Sequence, residues 1–217
     1  MVSTPRSRWT WLFGLALALL AACSRFSSPE PEPRSSQAPA SSVNPQQPGE
    51  HLETAILAGG CFWGMEEILR AVPGVVATDV GYAGGKQGVT YEDMHHDTSG
   101  NAEAVRVVFD PKKLSYADLL EKWFFRMHDP TTPNRQGNDV GTQYRSVLFV
   151  SSPAQRATAE AVKRRIDKSG VWKRPIVTEI VPQTTFTRAE EYHQKYLVKN
   201  PGGYTCHYVR DFEEKAY

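Results

Sequence analysis

The apolar positions of this 217-residue chain come in two rhythms. Short runs that are apolar throughout, or that alternate with polar residues, predict strands over 54–58, 75–82, 103–109, 144–150 and 176–181. Longer mixed segments between them predict helices. One covers 61–70, with Trp63, Ile68 and Leu69 among polar residues and a stop before Pro73-Gly74. A second opens at Ser115 with Asp118 three residues on, turns Leu119, Leu120 and Trp123 inward, and runs to about His128. Ser152-Pro153 with Gln155 opens a third, closed by Gly170. Thr187 with Glu190 predicts the cap of a last helix that ends near Asn200-Pro201. Glycine-rich 81–88 and the Pro/Asn/Gly/Asp-bearing stretch 129–142 predict loops. There is no internal repeat. This order predicts an α+β domain, a two-layer sandwich with helices packed on a mixed sheet.

The first fifty residues follow another logic. Arg6 and Arg8 precede an almost wholly apolar run, 9–22, that ends in Leu20-Ala21-Ala22-Cys23. A basic start, a short apolar stretch and small residues before a cut predict a secretory signal over 1–22. The run is too short for a comfortable membrane-spanning helix, which needs about 20 residues. Residues 23–51 are dense in Pro, Ser, Gln and Ala, a composition that buries too little apolar surface to offset chain entropy. They predict a flexible tether, and the folded domain is expected over 52–217. Lys and Arg number 25 against 24 Asp and Glu, a formal charge of +1. That balance argues against a dedicated nucleic-acid binder.

The cysteines are Cys23, Cys61 and Cys206, an odd set. Cys61 sits in Gly59-Gly60-Cys61-Phe62-Trp63-Gly64, between a predicted strand and helix. A helix N-terminus offers unpaired N–H groups and a positive dipole end, so the thiol is expected below its free pKa of ~8.5. The glycines would let another molecule approach the backbone. From the residues alone, Cys61 reads equally as a nucleophile or as a buried structural cysteine. Glu103 alone reads as a surface charge on a strand, and Tyr91 and Tyr144 as core or edge aromatics.

Two resemblances extend this reading. Leu20-Ala21-Ala22-Cys23 resembles the bacterial lipoprotein box, which implies acylation of Cys23 and a membrane-anchored lipoprotein outside the cytoplasm. Ser24 would favour the outer membrane where one exists. Gly60-Cys61-Phe62-Trp63-Gly64 resembles the signature of the A-type peptide methionine sulfoxide reductases. The likeness continues through Pro73-Gly74-Val75, the Gly81–Gly85 segment, Thr90-Tyr91-Glu92, Ala102-Glu103-Ala104-Val105, the 135–146 segment, Tyr192-His193-Gln194 and Asn200-Pro201-Gly202-Gly203-Tyr204. It implies a ferredoxin-like core and thiol-dependent reduction of methionine S-sulfoxide, free or in proteins. It implies that Cys61 attacks the sulfoxide sulfur and that Phe62 and Trp63 take the substrate methyl group. Glu103 would protonate the sulfoxide oxygen, Tyr91 and Tyr144 would hydrogen-bond it, and Asp139 would organise the site. Cys206 would resolve the Cys61 sulfenic acid as a disulfide. An external thioredoxin-like dithiol would then recycle it, with no bound cofactor and no metal.

The pattern is not matched everywhere. Met94-His95-His96-Asp97 lacks the cysteine some members carry there, and the chain lacks the cysteine-bearing glycine-rich tail of others. A relay through a third cysteine is therefore not expected. Asn101 replaces a histidine common in the family. His95 and His96 make too few ligands for zinc. Two rivals remain from the residues: a cysteine hydrolase pairing Cys61 with His128 or His193, and a non-catalytic aromatic peptide-binding lipoprotein. Cys206 could also be inert, or locked in a permanent disulfide with Cys61.

Overall fold

A computed structural model of the chain describes residues 51–95 and 99–212. The expected signal over 1–22, Cys23 and nearly all of the 23–51 tether lie outside the described residues, as do His96 and Asp97. In order, the elements are β1 (Glu53–Gly59), α1 (Phe62–Leu69), β2 (Val75–Ala83), α2 (Tyr91–His95) and β3 (Ala102–Phe109). A helix over 116–127, here α3, follows; its middle, Leu119–Phe124, is π-helical. Next come a small hairpin of β4 (Arg135–Gln136) and β5 (Asp139–Val140), a 3₁₀ turn at Thr142–Tyr144, and β6 (Ser146–Val150). The chain continues through α4 (Pro153–Ser169), β7 (Glu179–Pro182), β8 (Phe186–Arg188) and α5 (Tyr196–Lys199).

Six strands form one sheet in the order β7-β6-β1-β3-β2-β8, with only β6–β7 parallel. The four central strands and their helices run β1-α1-β2-β3-α3-β6, the ferredoxin-like arrangement within a mixed sheet. Strand periodicity explains the two faces. Ala55 and Leu57 of β1 join the large core with Met65 and Leu69 of α1, Leu119 and Leu120 of α3, and Val162 and Ile166 of α4. The alternate residues Ile56 and Ala58 join a smaller apolar cluster with Ala104, Val147 and Phe149. The helices thus collect on one face, and the fold is the expected α+β class.

Two predicted caps form. Ser115 Oγ accepts the Asp118 N–H at 3.0 Å, and Ser152 Oγ accepts the Gln155 N–H at 3.1 Å. Gly170 closes α4 at φ +69°. The third predicted cap fails. Thr187 lies in β8, paired with Tyr82, and no helix starts there. Glu190 does not reach back to Thr187; it accepts the Tyr82 hydroxyl and the Tyr91 N–H, each at 2.9 Å. Gln194 likewise bonds both backbone groups of Val80. Long-range partners outcompete the local capping pattern, and only α5 remains helical. Tyr144 belongs to the 3₁₀ turn rather than to a strand. The predicted loop over 129–142 holds the β4–β5 hairpin, and α2 lies in the stretch between 88 and 103 for which no element was predicted; both are too short to show periodicity.

Candidate active site

Cys61 sits where β1 gives way to α1. Gly60 makes the turn at φ +107°, which a Cβ would strain, and Cys61 becomes the N-cap of α1. Beside it begins β3, whose register on β1 (Leu57 opposite Val105) brings Glu103 level with the end of β1. The Phe62 N–H, one of the donors left over by the helix start, donates to Glu103 Oε2 at 3.0 Å. Cys61, Phe62, Trp63, Tyr91, Glu103, Asp139, Tyr144 and Tyr204 line one cavity of about 90 Å³. Seven of these are residues singled out from the sequence; Tyr204 is the addition.

The charge state differs from expectation at the sulfur. Cys61 is 6% exposed, and burial raises its thiol well above the ordinary range, with the Glu103 charge adding to the push. The Trp63 N–H at the helix start works the other way but loses. The helix-end argument fails here because desolvation of a thiolate outweighs one turn of backbone dipoles. Glu103, 3% exposed, is pushed up to about 8 by burial, against the Phe62 N–H and with help from Asp139. Near neutrality the resting site therefore holds a thiol and a carboxylic acid, both neutral. Burial, then the Glu103 charge, raises the Tyr91 and Tyr144 phenols, which stay protonated and able to donate.

The apolar wall is braced from behind. Trp63 stacks on Tyr196 at 3.8 Å and 12°, and its Nε1–H donates to His193 Nδ1 at 3.0 Å. The His193 ring packs on Phe62 at 5.1 Å and on Tyr91 at 4.5 Å. Nδ1 is thus committed to Trp63. His128, fully buried, engages the Phe124 carbonyl at 2.7 Å through Nδ1 and Ser146 Oγ at 2.8 Å through Nε2. Neither imidazole is arranged as the base of a Cys61 hydrolase. Asn101 staples the loop after β2, accepting the Gly85 N–H and donating to the Lys86 carbonyl. Among the described residues, no cluster of three or more His, Cys, Asp or Glu is placed to hold a metal ion.

Cys206 reaches the site on an extended C-terminal segment that lies over the start of α1. Its thiol donates to Asp139 Oδ2 at 3.3 Å, and the Tyr204 hydroxyl donates to Asp139 Oδ1 at 3.0 Å. Cys61 and Cys206 are both free thiols in the structure. Burial first, then Asp139, pushes the Cys206 thiol up to about 12. The glycines beside the nucleophile let the protein's own chain approach: Gly64 admits this segment and Gly60 the Gln136 side chain. A Cβ on Gly64 would collide with Thr205 Oγ1 and come within 2.7 Å of His207 Nδ1; one on Gly60 would meet Gln136 Cγ at 2.5 Å. Tyr204 and His207 were assigned no role from the sequence, although both lie within two residues of Cys206. Proximity to that cysteine was the available signal.

Comparison with known proteins identifies the family. The family model described as peptide methionine sulfoxide reductase matches residues 53–217. A curated relative from Methanosarcina acetivorans, named peptide methionine sulfoxide reductase MsrA, is 54% identical over 170 residues, covering 78% of this chain and 89% of its own. The reduced form of Mxr1 from Saccharomyces cerevisiae superposes with a TM-score of 0.70 at 39% identity, covering 76% of this chain and 95% of that one. Mxr1 in complex with Trx2 matches with a TM-score of 0.53 at 30% identity, over 78% and 97% of the two chains.

Proposed function

The chain belongs to the peptide methionine sulfoxide reductase family, an oxidoreductase of the MsrA kind, and from that premise we propose how its residues divide the work. The observation that carries the reading is one small cavity shared by a buried cysteine, a carboxylic acid that keeps its proton to about pH 8, and two protonated phenols. The sulfoxide oxygen sits against Tyr91, Tyr144 and Glu103, and the substrate methyl group against Phe62 and Trp63. Cys61 attacks the sulfoxide sulfur. Glu103 gives its proton to the oxygen and takes the proton of the thiol, so the carboxyl ends as it began. Help of this kind typically gives 10²–10⁴-fold. The methionine S–O bond then breaks as the hydroxyl passes to the Cys61 sulfur, the transient S–S bond opens with its electron pair returning to the methionine sulfur, and methionine departs, leaving Cys61 as a sulfenic acid. The S-sulfoxide is the epimer accepted.

Cys206 then condenses with the sulfenic acid, releasing water and forming the Cys61–Cys206 disulfide. The Asp139 contact holds the Cys206 sulfur beside the cavity until then. An external thioredoxin-like dithiol reduces the disulfide; the Trx2 complex of the yeast relative supports that partner class. The enzyme works outside the cytoplasm as a lipoprotein anchored through Cys23, a reading supported by the signal-like 1–22 segment and Leu20-Ala21-Ala22-Cys23.

The test of the chemistry is an assay of the full chain on both sulfoxide epimers with a dithiol. Turnover of the S epimer alone is expected; equal rates on both, or none, would sink the proposal. Cys206→Ser should release one methionine per enzyme and then stall with thioredoxin as reductant. The address is tested by growing the producing cells with labelled fatty acid. Label should follow the native chain and vanish with Cys23→Ser.

A further inference from the structure

We propose that His207 is a catalytic residue of the second half-reaction: its Nδ1 takes the proton of Cys206 as that sulfur attacks the Cys61 sulfenic acid. This rests on Cys206 being the resolving thiol. The geometry begins with the ring's anchor. His207 Nε2 lies 2.8 Å from the Gly59 carbonyl oxygen. A carbonyl only accepts, so the proton of the neutral ring is on Nε2, and Nδ1 carries the lone pair. That lone pair faces Cys206 Sγ at 3.5 Å. The ring is 7% exposed and lies against the two glycines of the nucleophile turn, where a Cβ on Gly60 would meet Cε1 at 3.1 Å. Thr205 Oγ1 fixes the same segment by accepting the His207 N–H at 3.1 Å.

The thiol has a second acceptor, Asp139 Oδ2, at 3.3 Å. The needs of the step decide between them. In resolution the Cys206 S–H bond breaks, the S–S bond forms and the Cys61 S–O bond breaks. The oxygen leaves with its electron pair and needs a proton, which Glu103 supplies, so that water departs. The Asp139 charge is one of the forces holding the proton on Glu103. Protonating Asp139 would cancel that force just when the acid must be loaded. Protonating His207 leaves it in place and sets a cation beside the incoming thiolate, whose negative charge the Tyr204 hydroxyl and the Cys61 N–H also favour. Afterwards imidazolium and Glu103 carboxylate exchange the proton through solvent. The titratable groups acting on the ring are Cys206, Asp139, Arg210 and His128. Burial keeps the imidazole neutral, its pKa lowered to about 4, so the lone pair is free at physiological pH. The same burial makes it a weak base, and the proton moves only as the forming S–S bond draws charge from the sulfur, not before.

The experiment follows Cys61–Cys206 disulfide formation in the full chain after a single turnover, by quenching and peptide mapping, between about pH 5.5 and 7, below the range where Glu103 ionises. His207→Gln keeps an N–H for the Gly59 carbonyl but removes the acceptor. Its disulfide-forming rate should fall roughly 100-fold at pH 7 and climb about tenfold per pH unit, as hydroxide replaces the lost base. The native rate should be flat across the window. An unchanged rate in His207→Gln, or one lowered by the same factor at every pH, overturns the proposal. If the variant does not fold, the native profile decides alone: a tenfold climb per unit would mean that no internal base acts. Should mapping find no Cys61–Cys206 disulfide in the native chain, the resolving role of Cys206 itself falls, a result distinct from a disulfide that forms regardless of His207.

Discussion

The two sulfurs of this site are held by opposite means. Cys61 is fixed by regular structure: β1 enters it, α1 leaves it, and β3 lays Glu103 alongside. Cys206 lies on a segment with no helix or strand of its own, and side chains hold it in place: Tyr204 and Cys206 on Asp139, His207 on Gly59, Thr205 over Gly64. The contrast matches the work each must do. The nucleophile must meet substrate, acid and phenols in one geometry, and backbone ladders maintain geometry best. The resolving sulfur must close to the ~2.05 Å of a disulfide and later open to a reductant, and a segment held by a few replaceable bonds can move that far.

Variants can break either side of this contrast. The largest effect is expected for Cys61→Ser, which should abolish methionine release entirely, measured by chromatography of the product. Glu103→Gln comes next. Its amide oxygen still accepts the Phe62 N–H, but the acid is gone, so single-turnover methionine release should drop by about 10²–10⁴. The same carboxyl sets a pH dependence. The acid form is the active one, and its pKa is raised to about 8, so the first half-reaction should be level near pH 6–7 and fall as pH climbs through about 8. A fall already complete by pH 6 would place the proton elsewhere.

Gly64→Ala tests the other side. The added methyl group would displace Thr205 and His207, and misplacement of about 1 Å can cost ~10²-fold. Disulfide formation should slow by about that factor, with a clearly smaller loss in the methionine-release burst. Equal losses in both would mean that the C-terminal segment also shapes the substrate cavity. The smallest effect is expected for Tyr144→Phe. It removes one donor to the sulfoxide oxygen, and a hydrogen bond worth about 1–1.5 kcal/mol corresponds to roughly tenfold in rate. An unchanged first-turnover rate would assign the oxygen to Tyr91 and Glu103 alone.

Much of this was written in the chain. Strand runs such as 103–109, the Ser115 and Ser152 caps and the Gly170 stop depend on neighbours in sequence, and they formed as local rules require. The signature around Cys61 and its companions Glu103, Tyr91, Asp139 and Tyr144 could be named from pattern and resemblance. What the chain could not disclose was decided by contacts across the fold. The Thr187–Glu190 pair looked like a cap, but Tyr82 and Tyr91 claimed Glu190 from more than ninety residues away. The Cys61 thiol looked acidified by its helix, but burial beside Glu103 reversed the sign. His207 had no assigned role beside its cysteine until the Gly59 carbonyl fixed its tautomer. Periodicity and caps report on bonds a few residues long. Desolvation, charge and the orientation of a ring depend on which distant groups the fold packs around it, and those exist only once the sheet has closed over its helices.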